Sequence, residues 1–179
     1  MNETLLQFAR SVLTPVAVFF GGLLGLLVVL YLIVQVACGH PSDARLARRF
    51  YAHEAEFNEL VRMTEVDSQM YRIAPNFAFP ENRFTERRWD DYRARFNRLS
   101  ISKGLVKPIG GDSILFMASV DGLLFGRGSS KGYVYSLSPL SPCVSDLSDD
   151  PPIWAIDANY HYIVYKPLKG NWYLYYEFR

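Results

Sequence analysis

The chain is poor in the residues that most often carry chemistry. It has 2 cysteines and 3 histidines in 179 residues, too few for a disulfide-stapled scaffold or a thiolate zinc site. It also lacks an excess of charge of either sign: 19 Lys+Arg stand against 18 Asp+Glu, a formal net charge of +1. A strongly basic nucleic-acid binder and an acidic solvating tail are thereby excluded. No internal repeat and no low-complexity segment is present.

Catalytic signatures are equally scarce. The loop Gly126–Gly132 does not have the order of a phosphate-binding loop. Lys131 precedes Gly132, and Tyr133-Val134-Tyr135 reads as a strand where a helix would have to open. His53-Glu54 begins a zinc-protease helix, but Phe57 stands where the second histidine must share its face. Ser100-Ile101-Ser102-Lys103 has the spacing of penicillin-binding enzymes without their partner motifs, and no Gly-x-Ser-x-Gly occurs. Asp146, Asp149 and Asp150 lack the alternating spacing and the closing glutamate of a calcium loop. No catalytic set, metal site or cofactor is expected.

What is present is unevenly distributed. Residues 11–39 form a run of 29 without a charge, between Arg10 and His40. A bilayer core needs roughly 20 apolar residues, and lipid leaves no option but a helix. We therefore expect a single transmembrane helix over about 12–37 within an N-terminal unit 1–40, the lipid bilayer being its first partner. A second reading is a lipoprotein signal processed at Cys38 in Val36-Ala37-Cys38-Gly39, although Gln35 stands where that motif prefers leucine. Both tether the chain to a membrane. Gly21 and Gly25 form a small-xxx-small pair through which two such helices could pack as a homodimer. Arg45, Arg48 and Arg49 beyond the run outnumber Arg10 before it, a bias toward a cytoplasmic domain.

From 41 to 179 the texture is that of a water-soluble domain. Pro41 ends the preceding helix, Ser42 is a good N-cap, and Leu46, Phe50, Phe57, Leu60 and Val61 form one stripe of a helix over about 43–65. A polar stretch from Asp67 to Arg83 follows. Thr85 then caps a second helix carrying Trp89, Tyr92, Phe96 and Leu99 on one face. The outer face of that helix has Arg87, Arg88 and Arg95 among interleaved acids. After Ser100 the period becomes extended: Ser113–Ser119, a turn at 120–122, Leu123–Phe125, Tyr133–Tyr135 and a terminal hairpin turning at Pro167–Gly170. Helices first and strands last predict an α+β fold, two amphipathic helices on an antiparallel sheet of about four or five strands.

One feature exceeds background. Nine aromatics fall within residues 154–178. In a strand, Trp172, Leu174, Tyr176 and Phe178 point one way, and Tyr173, Tyr175 and Glu177 the other. One face can pack on the helices; the other offers tyrosines, which suit contact surfaces. Candidate binding residues are Tyr160, Tyr162, Tyr173 and Tyr175, with Arg87, Arg88 and Arg95 second.

Lys131-Gly132-Tyr133-Val134-Tyr135-Ser136 and Asn171-Trp172-Tyr173-Leu174-Tyr175-Tyr176-Glu177 resemble a group of small uncharacterised bacterial envelope proteins, lipoproteins or signal-anchored, over residues 50–179. The resemblance implies a bacterial inner-membrane protein with its domain on the periplasmic side, against the arginine bias, and carries no activity. The expected function is a membrane-anchored, non-enzymatic binding module whose partner is another protein, for example an immunity-type protein that neutralises a toxin. One rival is a structural or accessory subunit of a membrane complex. Another is a small envelope enzyme in which His161, Asp157 and Cys143 converge only in three dimensions.

Overall fold

The computed structural model describes residues 25–26, 39–81, 84–108, 111–122, 128–147 and 161–179. The chain divides into two units, 1–39 and 40–179. The expected anchor lies outside the described residues except for Gly25 and Leu26, which are helical. Gly21 and Cys38 also lie outside. Among the described residues no helix is long and apolar enough to cross a membrane.

The second unit is α+β; its described residues form three helices and a seven-stranded antiparallel sheet. Helix α1 spans Asp43–Ala52, and the Ser42 side chain caps it by accepting from Arg45 N–H. The single helix expected over 43–65 is in fact two. His53, at φ −132° and ψ 27°, leaves helical geometry, and its N–H closes α1 on the carbonyls of Arg49 and Phe50. Helix α2 then runs Glu54–Val66. The break costs little apolar burial, because Leu46 and Phe50 before it and Phe57, Leu60 and Val61 after it all reach one core. Helix α3, Glu86–Leu99, is capped by Thr85, which accepts from Arg88 N–H, and buries Tyr92, Phe96 and Leu99.

The sheet order is β2-β1-β3-β4-β5-β7-β6. Three strands of two residues each, β1 (Arg72–Ile73), β2 (Ala78–Phe79) and β3 (Leu105–Val106), extend it beyond the four or five expected. Two residues are too few to show a period, which is why the polar stretch concealed them. The long strands are β4 (Ser113–Gly122), β5 (Gly128–Ser136), β6 (Tyr162–Lys169) and β7 (Trp172–Phe178). The turn expected at 120–122 is still strand, and so are residues 128–132 of the expected loop 126–132. The terminal hairpin turns at Gly170 and Asn171, not at Pro167–Gly170. Gly170 takes φ +58°, which an L side chain resists.

The β4–β5 register shifts between Met117 and Ser119. There a Cβ on Gly132 would run into the Phe116 carbonyl oxygen and the Ala118 nitrogen. Only glycine fits beside this bulge.

All three helices cover one face of the sheet. Trp172 is the hub of that core: its ring lies 5.2–5.5 Å from those of Phe50, Phe57, Phe116 and Tyr135. Such pairs contribute about 0.5–1.5 kcal/mol each beyond area burial. The same face holds a buried charge cluster. Asp43 in the first turn of α1 is 8% exposed and Lys131 of β5 2%. Asp43 lies 3.1 Å from Lys131 Nζ, accepts from Lys166 Nζ at 2.9 Å and from Leu147 N–H at 3.0 Å. Burial pushes the Asp43 carboxyl up, but these donors outweigh it and hold it below the usual carboxylate range. His40, the first residue of the unit, bridges the Ser119 and Ser129 hydroxyls at 2.7 and 2.8 Å.

Candidate functional site

Among the described residues no helix lies on the other face of the sheet. Alternation along the strands sends Val106, Leu115, Met117, Val134 and Tyr175 to it, where they form a second, smaller apolar cluster. Over β1, β3, β4, β5 and β7 this face sinks into a groove of about 360 Å³. Val106, Leu115, Met117 and Val120 supply its apolar floor. Val120, beside the open end, is 43% exposed.

The polar groups of the groove are of two kinds. On one side Glu177, 8% exposed, is fully engaged. Its Oε1 accepts from Arg179 Nε at 2.7 Å and Arg179 Nη2 at 2.6 Å, and lies 2.7 Å from His161 Nε2. Its Oε2 accepts from Ser130 Oγ at 3.1 Å. Arg179 and Glu177 therefore neutralise each other. On the other side Arg72 of β1 has no carboxylate partner among the described residues. Its guanidinium lies 5.4 Å above the Phe77 ring, and its Nε is buried without a hydrogen-bond partner. The Tyr175 hydroxyl is also buried; its geometry meets no hydrogen bond, although the Ser130 hydroxyl lies near enough to act on it. Burial raises its pKa well above the usual tyrosine value, so it stays neutral; Glu177 adds to the rise, while Ser130, Arg179 and Arg72 oppose it. Buried polar groups are nearly all hydrogen-bonded in folded proteins, so the Arg72 Nε in this groove points to something beyond the fold.

The residues proposed from sequence separate onto different surfaces. Tyr160 lies outside the described residues. Tyr162 is on β6 on the helix-covered side, half-buried opposite Phe178. Tyr173 and Tyr175 do face away from the helices, but Tyr175 is fully buried and Tyr173 half-buried against Tyr165, with ring centroids 6.5 Å apart. Neither forms the exposed tyrosine surface expected of them, because neighbouring strands and Leu140 cover both. The arginines sit across the sheet on α3. Arg87 is exposed there, Arg95 donates to the Asp91 carbonyl, and Arg88 pairs with Asp67 at 2.8 Å. Asp67 also accepts from the Tyr92 hydroxyl, so Arg88 braces α2 against α3.

The enzyme rival fares no better in geometry. Cys143 bridges to Tyr165 and donates to the Leu140 carbonyl. His161 lies four residues from Tyr165, about 13 Å along an extended chain, and is engaged with Glu177. Asp157 lies outside the described residues. In the line Ser130–Glu177–His161 the carboxylate stands in the middle, so no imidazole reaches the hydroxyl to act as its base. Among the described residues no three histidine, cysteine, aspartate or glutamate side chains are placed to hold a metal ion.

Arg72, Ser130 and Arg179 were not legible as site residues. Arg72 lies in a stretch without periodicity, and Ser130 in what reads as a glycine-rich loop. Glu177 carried a signal, as the one acid in an aromatic strand, on the parity of Tyr173 and Tyr175. No family model, curated protein or solved structure matches the chain.

Proposed function

We propose that the chain is a membrane-tethered, non-enzymatic binding module of the bacterial envelope, held at the inner membrane by its N-terminal apolar run with the domain on the periplasmic side. The groove on the helix-free face is its binding element. The observation that carries this reading is the groove itself, about 360 Å³ in volume, within the ordinary range for small-molecule sites. Its apolar floor and its few convergent polar groups are the composition such sites have. The uncharged run of 29 residues supports the tether. Glu177 standing between Ser130 and His161, which leaves that hydroxyl without its imidazole base, supports binding over catalysis.

The test uses the full chain expressed in bacteria. It should stay in the membrane fraction through an alkaline wash, and native mass spectrometry of the extracted protein should show a bound species. Leu115→Trp, which fills the groove, should lose that species while keeping the wild-type circular dichroism spectrum. A chain released by the wash, or recovered at its bare mass in every preparation, would overturn the reading.

A further inference from the structure

Among the described residues the groove pairs an apolar floor with one charge that has no ionic partner. Glu177 cancels Arg179, which leaves the Arg72 guanidinium as the net charge facing Val106, Leu115 and Met117. Its buried Nε is a donor without an acceptor, and leaving a buried donor unmade costs about 1–3 kcal/mol. A guanidinium matches the planar or tetrahedral oxygens of a carboxylate or phosphate. A water molecule takes about 30 Å³ of liquid volume, so the groove has room for roughly a dozen non-hydrogen atoms. Phe77 and Phe79, 40% and 56% exposed, stand beside Arg72 at the β1–β2 edge and extend the apolar surface beyond it.

We propose that the groove binds an amphiphile of about ten carbons bearing one oxyanion head, with the head on Arg72 and the tail over Val106, Leu115 and Met117. This rests on the groove being the binding element.

Equilibrium dialysis of the full chain in lipid nanodiscs, with empty discs subtracted, tests it using decanoate, decyl phosphate and decanol. Wild type should take up decanoate, decyl phosphate or both, saturably and at one site, and decanol about tenfold or more weakly. Preference between the two anions identifies the head as carboxylate or phosphate; either supports the proposal. Arg72→Met keeps the length and apolar stem and should weaken anion uptake about tenfold or more, with decanol uptake unchanged. Leu115→Trp should abolish all three. Anion uptake unaffected by Arg72→Met, or decanol bound as tightly as the anions, would overturn the proposal. A wild-type dimer converted to monomer by Leu115→Trp, with no anion uptake, would assign the face to a second copy and overturn it too. A neutral species found by native mass spectrometry and lost in Leu115→Trp would leave the binding module standing and remove only the anion.

Discussion

The two faces of the sheet treat buried charge differently: Asp43 Oδ1 lacks a hydrogen bond but has Lys131 Nζ 3.1 Å away, whereas Arg72 has no carboxylate partner among the described residues. Beneath the helices, Asp43 lies between Lys131 and Lys166 and also takes the Leu147 N–H. Across the sheet, Arg72 reaches inward with its Nε unpartnered. Burying an ion costs several kcal/mol unless its partners and hydrogen bonds restore that energy. The first arrangement is therefore part of the fold, since it joins α1, β5, β6 and the segment at Leu147. The second adds nothing to folding, and a ligand head would complete it.

Substitutions can break this contrast. Asp43→Ala takes the carboxylate away from the buried Lys131 and from Lys166 and should destabilise the domain by about 3–5 kcal/mol. Thermal melting of the full chain in nanodiscs, followed by tryptophan fluorescence from Trp172, measures it. A double variant, Asp43→Leu with Lys131→Met, should recover much of that loss, because it removes both charges. A double variant as unstable as the single one would mean that packing, not charge, is what matters there.

Gly132→Ala should cost about 1–3 kcal/mol, since backbone at Phe116 and Ala118 must shift. Amide exchange should rise along β4 and β5 together, while α3 keeps its protection.

Acid offers a smaller perturbation of the same face. Asp43 is held below its ordinary 3.8, so the unfolded state takes up its proton first as pH falls. The stabilisation is complete above about pH 4 and is lost as pH drops through the lower, folded value. Melting temperature should therefore fall in that window, and Asp43→Asn should remove this part of the dependence.

The smallest effect belongs to the open face. Arg72→Met removes a buried donor that is costly unmade, so it should leave the domain at least as stable as wild type while anion uptake collapses. A large loss of stability would make Arg72 a structural residue and erase the contrast.

Much of the helix-covered face was legible before any coordinates. Ser42 and Thr85 cap the helices as their side chains dictate, and the stripes Leu46–Val61 and Tyr92–Leu99 are buried. Trp172, Leu174, Tyr176 and Phe178 alternate inward as a strand requires. These features are local, so residue type and spacing carry them. The break at His53 escaped, because the apolar positions on both sides of it serve one core and the period runs on across the bend. The short strands escaped because two residues show no period, and because β1 pairs with β3 across more than 30 positions.

The sequence by itself determined the apolar run, the two capped helical segments, the terminal hairpin and the partition of charge between the N-terminal unit and the domain. Each follows from hydrophobicity and period within a few turns of chain. Only the tertiary structure decided that Lys131 would be buried on Asp43, that Tyr175 would lie under a floor and not on a surface, and that Arg72, Ser130, Glu177 and Arg179 would meet at one groove. The physical reason is register. Arg72 joins the sheet through Val106 and Ser130 lies opposite Glu177, and such long-range pairing sets which distant side chains share a face.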